Sequence, residues 1–350
     1  MSISDTRTAN GDGAITDVDG VRLGHWTSRR RATGCTVVLA EAGATPGFHG
    51  AGGAPGTIDT QLLRPENTVD VVHAVLVTGG SAHGLAAAAG VRAALVERGV
   101  GLPVTAEAPP VPIVTGAVVF DQGLGSPTAF PGPDEGAIAV RRATAGAVAE
   151  GCVGAGTGCS VAKLDGRQLA WKGGLGTAAV RHDSGLVVGA VAAVNAVGAI
   201  VDPATGDLVA GPRRSADSRA MRPAHEAMID RPLDAYYAEH ASAVEALLNT
   251  TVAVVATNAR LDKAQATRLA VMADDGLAHA VRPAHTPVDG DSVFVLATGR
   301  HDADLGRAPA LLTMLGSMAT TALGRAIVRA VRQATPLAGL PAVGPSTGRD

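Results

Sequence analysis

TTVAVVATNARLDKAQATRLAVMADDGLAHAV, residues 250 to 281, is the stretch from which the fold can be read. Its first eight residues are small or β-branched and carry no charge, which suits a strand buried on both faces. Asn258 to Arg260 interrupts the run, and apolar residues then return at three- and four-residue spacing. Asp262 with Gln265 three residues on makes a capping-box pattern, so a helix is expected over 261 to 281. A buried strand followed directly by a long helix is the repeating element of a layered α/β domain.

The same alternation recurs along the chain. SVFVLAT (292 to 298) is expected as a strand and ALLTMLGSMATTALGRAIVRAV (310 to 331) as a helix, with Leu311, Leu315, Met318 and Ala322 in helical register. Further strands are expected at CTVVLA (35 to 40), VVHAVLV (71 to 77), TGAVVF (115 to 120) and LVVGAVAAV (186 to 194). Helices are expected at 81 to 99, with Ser81 as N-cap and Gly99 as stop, and at 136 to 151. Residues 210 to 249 are polar, charged and hold both tyrosines, so they are expected to form an exposed linker. The tail after about 335 is expected to be disordered.

Composition narrows the function. Of 350 residues 45 are Gly, 46% are hydrophobic and 17% are charged, which excludes a disordered chain. A net charge of −3 speaks against a nucleic-acid partner. The longest uncharged apolar run, Gly185 to Val201, is short and broken by Asn195, and the N-terminus has no apolar signal core. The expectation is therefore a cytoplasmic protein with no membrane partner. Three cysteines without paired spacing suggest neither a disulfide framework nor a metal site. GAGTGC (154 to 159) lacks the last Gly of a dinucleotide loop, no phosphate loop occurs, and GGSAHG (79 to 84) is not a nucleophile elbow, so no cofactor is expected.

Chemistry gathers where the polar linker meets the buried strand, at Asn249, Thr250 and Thr251. Thr is common at strand starts, and that plain reading stands beside a sharper one. A Thr that becomes a chain terminus holds a hydroxyl nucleophile and an α-amine of pKa about 7.7 to 8 in one residue. Cutting the bond between Asn249 and Thr250 would create it, and strand alternation lets only one of Thr250 and Thr251 face a given site. In HTPVDGDSVF (285 to 294), Asp289 and Asp291 are either turn residues or carboxylates placed to hold that amine. Lys163 ends an apolar Gly-rich segment. Asn195 interrupts the most apolar strand, either closing a strand end or offering its amide to an oxyanion.

Seven blocks in order carry a resemblance: GAPGTIDTQLLRPENTV (53 to 69), VLVTGGSAHGL (75 to 85), VPIVTGAVVFD (111 to 121), GAGTGCSVAK (154 to 163), VNAVG (194 to 198), NTTVAVVATNARL (249 to 261) and HTPVDGDSVF. From about Ile15 to Val331 the chain resembles the L-aminopeptidase/D-esterase family of self-processing hydrolases, whose relatives include β-peptidyl aminopeptidases and nylon-oligomer (6-aminohexanoate oligomer) hydrolases. The Thr nucleophile after Asn and the Asp-x-Asp pair look more like the nylon-oligomer branch. The resemblance implies a four-layer αββα sandwich, self-cleaved into an α chain (1 to 249) and a β chain (250 to 350) and assembled as a homo-oligomer of αβ units.

By position, it implies Thr250 as nucleophile, Asn195 on the oxyanion side, Asp289 and Asp291 in contact with the nucleophile, and Lys163 near it. Phe120, Gly79 and Gly80 fall on the substrate and oxyanion side. Phe120 stands where a family tyrosine supplies a hydroxyl, and His83 and Ala86 replace a more usual Phe and Asp. The implied activity is hydrolysis of amide bonds in small peptides or amino-acid amides through an acyl-Thr250 ester. An acyltransferase of the ornithine acetyltransferase type and a non-catalytic relative are the alternatives.

Overall fold

The computed structural model describes residues 13–230, 232–234, 249–301 and 309–344. Its longest strand, β2 (Thr33–Gly50), belongs to two sheets at once. The first half of β2 pairs with β1 (Arg22–Ser28) and β4 (Val72–Thr78). β4 continues to the parallel β5 (Val114–Val118) and then to β3 (Thr57–Ile58). The register of β2 against β4 shifts between Leu39 and Ala44, and an irregularity of this kind bends a strand. Beyond it the second half pairs with β14 (Ser292–Ala297). From there the order runs to the parallel β12 (Thr250–Thr257), the antiparallel β9 (Val187–Asn195) and β8 (Gly174–Arg181).

Alternation along the strands builds four layers. Val38, Val75, Val77 and Ala117 from one half of the sheet share a core with Val191, Val252, Val254 and Phe294 from the other. The opposite parity, Ala253, Val255, Val293 and Val295, packs under helices α4 (Lys263–Ala280) and α5 (Pro309–Arg332). Val37, Leu39, Ala74 and Leu76 pack under α1 (Ala87–Val96) and α2 (Pro133–Arg141). Both faces of both sheets are thus covered, which is why these strands read as unbroken apolar runs. The abundance of Gly permits the close stacking: a Cβ on Gly176 of β8 would lie 2.1 Å from the Ala326 carbonyl oxygen of α5. α5 is long and apolar enough to cross a membrane by composition alone, yet Leu315, Ala319, Leu323 and Ile327 are buried in the helix-to-sheet core.

Small sheets complete the body: β6 (Ser160–Val161) with β7 (Trp171–Lys172), and β10 (Ala199–Val201) between β11 (Leu208–Ala210) and β13 (Val281–Arg282). A short helix α3 (Ala224–Met228) follows β11.

The strand at 250 to 257 and the helix after it form as the pattern predicts. Asp262 Oδ1 accepts from the Gln265 N–H at 2.8 Å and Gln265 Oε1 from the Asp262 N–H at 2.9 Å. Four expectations are corrected. The helix predicted over 136 to 151 ends at Arg141, because Thr144 exchanges two backbone hydrogen bonds with Leu23 at the edge of β1. Ser81 does not cap a helix: Gly80, at φ +82°, leads into a tight 3-10 turn, Ser81–Ala86, that precedes α1. The linker is partly packed, with Arg213 buried and its guanidinium over the Trp171 ring; its residues 235 to 248 lie outside the described ones. The tail is ordered to residue 344, where Leu340 and Ala342 are buried and Pro341 accepts from the Lys172 N–H at 2.8 Å.

Candidate active site

Thr250 opens β12 directly opposite Asn195, the last residue of β9. It shares the parity of Val252 and Val254, so its side chain lies on the side between the sheets, while Thr251 faces the helix layer. In the continuous chain the Thr250 hydroxyl donates to the carbonyl oxygen of Asn249, the residue before it. The same oxygen accepts the Gly290 N–H at 3.1 Å, and Asn249 bridges Asp289 as a parallel pair. The turn is tight at Gly290: a Cβ there would sit 2.9 Å from Thr250 Oγ and 2.9 Å from the Ala54 carbonyl oxygen, so any larger residue would force a shift.

Asn195 is almost fully buried and works as a junction. Its Oδ1 accepts from the Ser160 N–H at 2.9 Å and from Lys163 Nζ at 3.1 Å, and its Nδ2 donates to the Phe120 carbonyl at 3.0 Å. Lys163 Nζ also donates to the Asn195 carbonyl at 2.8 Å. Ala162, at φ +59°, holds a conformation rare for a side-chain-bearing residue just before Lys163, and this kink aims the lysine inward. Burial lowers the Lys163 ammonium to about 7, with Arg167 pushing the same way and Asp289 opposing.

Asp289 and Asp291 part company. Asp291 Oδ1 accepts the N–H of Thr251 at 2.8 Å, next to the expected nucleophile, and its Oδ2 accepts from His285. Asp289 Oδ2 is held by the Thr286 N–H and hydroxyl, whereas its buried Oδ1 has no hydrogen-bond partner among the described residues. Burial first, then the charge of Asp291, raises the Asp289 carboxyl to about 6.

Two groups carry no local signal in the sequence. His285 places Nδ1 3.1 Å from Asp291 Oδ2 and Nε2 3.1 Å from Asp274 Oδ2. Hydrogen bonds to Asp274 and Asp291 raise it to about 10, so it is an imidazolium at neutral pH. Asp121, beside Phe120, accepts the Gly80 N–H at 2.7 Å, and burial raises its carboxyl to about 6. The Gly79 N–H is likewise committed, to the Gly34 carbonyl at 2.9 Å. The Gly79 amide thus ties this loop to β2 and the Gly80 amide ties it to the segment after β5, while Phe120 meets Asn195 through its carbonyl.

Comparison with known proteins follows from this geometry. The model of Peptidase family S58 matches residues 13–342. An uncharacterized aminopeptidase of Mycobacterium tuberculosis is 42% identical over 94% of this chain and 96% of its own length. A 6-aminohexanoate-oligomer endohydrolase of Paenarthrobacter ureafaciens is 29% identical over 90% of this chain and 84% of its own. Among solved structures, a Burkholderia sp. beta-aminopeptidase superposes with TM-score 0.66 at 24% identity, covering 98% of this chain and 93% of that one. The L-aminopeptidase D-Ala-esterase/amidase of Ochrobactrum anthropi, described as a variant of the Ntn hydrolase fold, gives 0.67 at 20% identity, covering 94% and 89%.

Proposed function

Because this chain belongs to peptidase family S58, we propose that Thr250 cuts its own preceding peptide bond and then, as an N-terminal residue, hydrolyses amide bonds of small peptides or amino-acid amides. Family membership makes the chain a hydrolase of the aminopeptidase and amidase type. The observation that carries the self-cleavage is that the Asn249 carbonyl has the Thr250 hydroxyl, its attacker, against it and at the same time accepts the Gly290 N–H. A carbonyl so polarised is prepared to become an oxyanion.

In the cleavage step Thr250 Oγ attacks the Asn249 carbonyl carbon. The new Oγ–C bond forms as the C–N bond to Thr250 breaks, and the hydroxyl proton ends on that nitrogen. Water then hydrolyses the ester, releasing the Asn249 carboxylate and restoring the Thr250 hydroxyl beside its newly freed amine. While the amine is still in the peptide bond another group must carry the proton, and Lys163 near pKa 7 and Asp289 near 6 are both suited to it. In turnover the Thr250 amine takes the hydroxyl proton as Oγ attacks the substrate carbonyl, and Asn195 steadies the oxyanion. The substrate C–N bond breaks with that proton passing to the leaving amine, and water then hydrolyses the acyl-Thr250 ester. The unpartnered Oδ1 of Asp289 is the acceptor proposed for an ammonium, that of Thr250 or of the substrate.

The relatives named above are hydrolases by name, which gives no support to the acyltransferase alternative. The reading carries with it a cytoplasmic homo-oligomer of αβ units, which sedimentation of the cleaved protein tests. Intact mass provides the main test: two fragments divided before Thr250 are expected, together with release of amine from a panel of amino-acid amides. A single uncleaved but active chain would falsify the mechanism.

A further inference from the structure

We propose that His285 and Asp274 are positioning residues for the nucleophile, holding the Asp291 carboxylate on the Thr251 N–H and so setting the peptide unit that follows Thr250. The inference rests on the reading of Thr250 given above and extends it to the residues behind the site.

Four contacts make a continuous line from helix α4 to strand β12. Asp274 of α4 lies 3.1 Å from His285 Nε2, and His285 Nδ1 lies 3.1 Å from Asp291 Oδ2. The His285 backbone N–H reaches the same Asp291 oxygen at 2.9 Å, and Asp291 Oδ1 takes the Thr251 N–H at 2.8 Å. A carboxylate oxygen only accepts, so both ring nitrogens must donate and the ring is cationic whichever way it is drawn. The titratable groups facing it are Asp274 from α4, Asp291 from the turn before β14 and, across Asp274, His49 from β2 at 3.7 Å. The Asp291 side chain is 2% exposed, so its charge has little water to compete for it.

The backbone supplies an independent observation. His285 sits at φ +55°, a conformation uncommon for a non-glycine residue, and that conformation lets its amide and its ring converge on one oxygen. Strain of this kind persists where the surroundings over-determine it, and it clusters at functional sites. A salt bridge that merely pinned α4 to the sheet would not need the amide of the residue next to the nucleophile. Apolar packing would also serve that purpose at least as well as buried charges.

The experiment compares His285→Gln, His285→Arg and Asp274→Asn with the wild type in four measurements: extent of self-cleavage by intact mass, kcat and KM on an amino-acid amide, the pH profile of kcat, and the thermal midpoint. His285→Gln is expected to slow self-cleavage and to lower kcat by about 10- to 100-fold with KM nearly unchanged, since misplacing a reacting group costs on that order. His285→Arg, which keeps a cation with two donors, is expected to recover part of both. Asp274→Asn is expected to move the alkaline limb of kcat toward neutral pH, because one carboxylate holds the imidazolium less tightly than two. A folded His285→Gln that cleaves and turns over like the wild type, with only a lower midpoint, overturns the proposal. If His285→Gln does not fold, an unmoved alkaline limb in Asp274→Asn overturns it. A wild type that neither cleaves nor turns over removes the underlying reading of Thr250 and this inference with it, whereas active wild type with indifferent variants removes this inference alone.

Discussion

Thr250 and Asn195 face each other across the antiparallel register of β12 and β9, where β9 ends and β12 begins. The pairing places the expected nucleophile beside a side-chain amide that is itself anchored by Ser160 and Lys163. Each hydrogen bond around the pair assigns a measurable consequence to one residue.

Thr250→Ala removes the attacking oxygen, so the chain is expected to remain whole on intact mass and to release no amine from any amide. Thr250→Ser keeps an oxygen at the same place and is expected to cleave, though with a less constrained rotamer because the β-branch is gone.

Gly290→Ala tests the crowding at the scissile carbonyl. Its methyl would meet Thr250 Oγ and the Ala54 carbonyl at 2.9 Å each, so the turn must shift. Overpacking of this kind costs about 1 to 3 kcal/mol. Slower self-cleavage is expected with a modest drop in thermal midpoint; unchanged cleavage kinetics would show that the turn yields without cost.

Asn195→Ala is expected to lower kcat by about 10² to 10³-fold if the amide stabilises the oxyanion. It also leaves the buried Ser160 N–H without its acceptor, and denaturant unfolding should register roughly 1 to 3 kcal/mol for that loss. A loss of stability with kcat intact would confine Asn195 to a structural role.

The Asp289 carboxyl is raised from 3.8 to about 6, so it is protonated well into mildly acid solution. An ionised Asp289 is the form that holds an ammonium, and activity is therefore expected to rise with pH through a midpoint near 6. Asp289→Asn should abolish that limb. The sign for stability is opposite: burial favours the neutral acid, so its contribution is complete below pH 3.8, where both states are protonated, and is lost as pH rises through about 6, a loss that Asp289→Asn would not show.

His285 behaves in the other direction. Its folded value of about 10 lies above the ordinary 6.5, so its contribution to stability is complete below pH 6.5 and is lost as pH rises through 10. Urea titrations of wild type and His285→Gln are expected to differ most at pH 6 and to converge near pH 10. A difference independent of pH would mean the ring is not charged in the fold.

Much of the architecture was legible from local pattern. The period-two and unbroken apolar runs located β4, β9, β12 and β14 within a residue or two, and the Asp262 and Gln265 pair marked the start of α4. The helix predicted over 136 to 151 failed because its second half obeys a partner elsewhere: Leu23 claims the backbone of Thr144. Ser81 failed for a similar reason, since the Gly80 N–H is drawn to Asp121 and turns the chain before a cap can form. The tail looked structureless because its apolar residues are few, yet Leu340 and Ala342 find a surface to cover.

Sequence alone determined the alternation of buried strands and covering helices and placed a threonine where a polar segment enters a buried strand. Both follow from neighbours a few residues apart, through side-chain period and backbone propensity. Tertiary structure decided which groups surround that threonine. Asn195 stands opposite it only through strand register, Gly290 reaches the Asn249 carbonyl only through a turn folded back from β14, and His285 becomes a fixed cation only between carboxylates from α4 and the turn. A lone His, Gly or Asp has no periodicity to announce it, because hydrogen-bond geometry between distant segments exists only once the layers are packed.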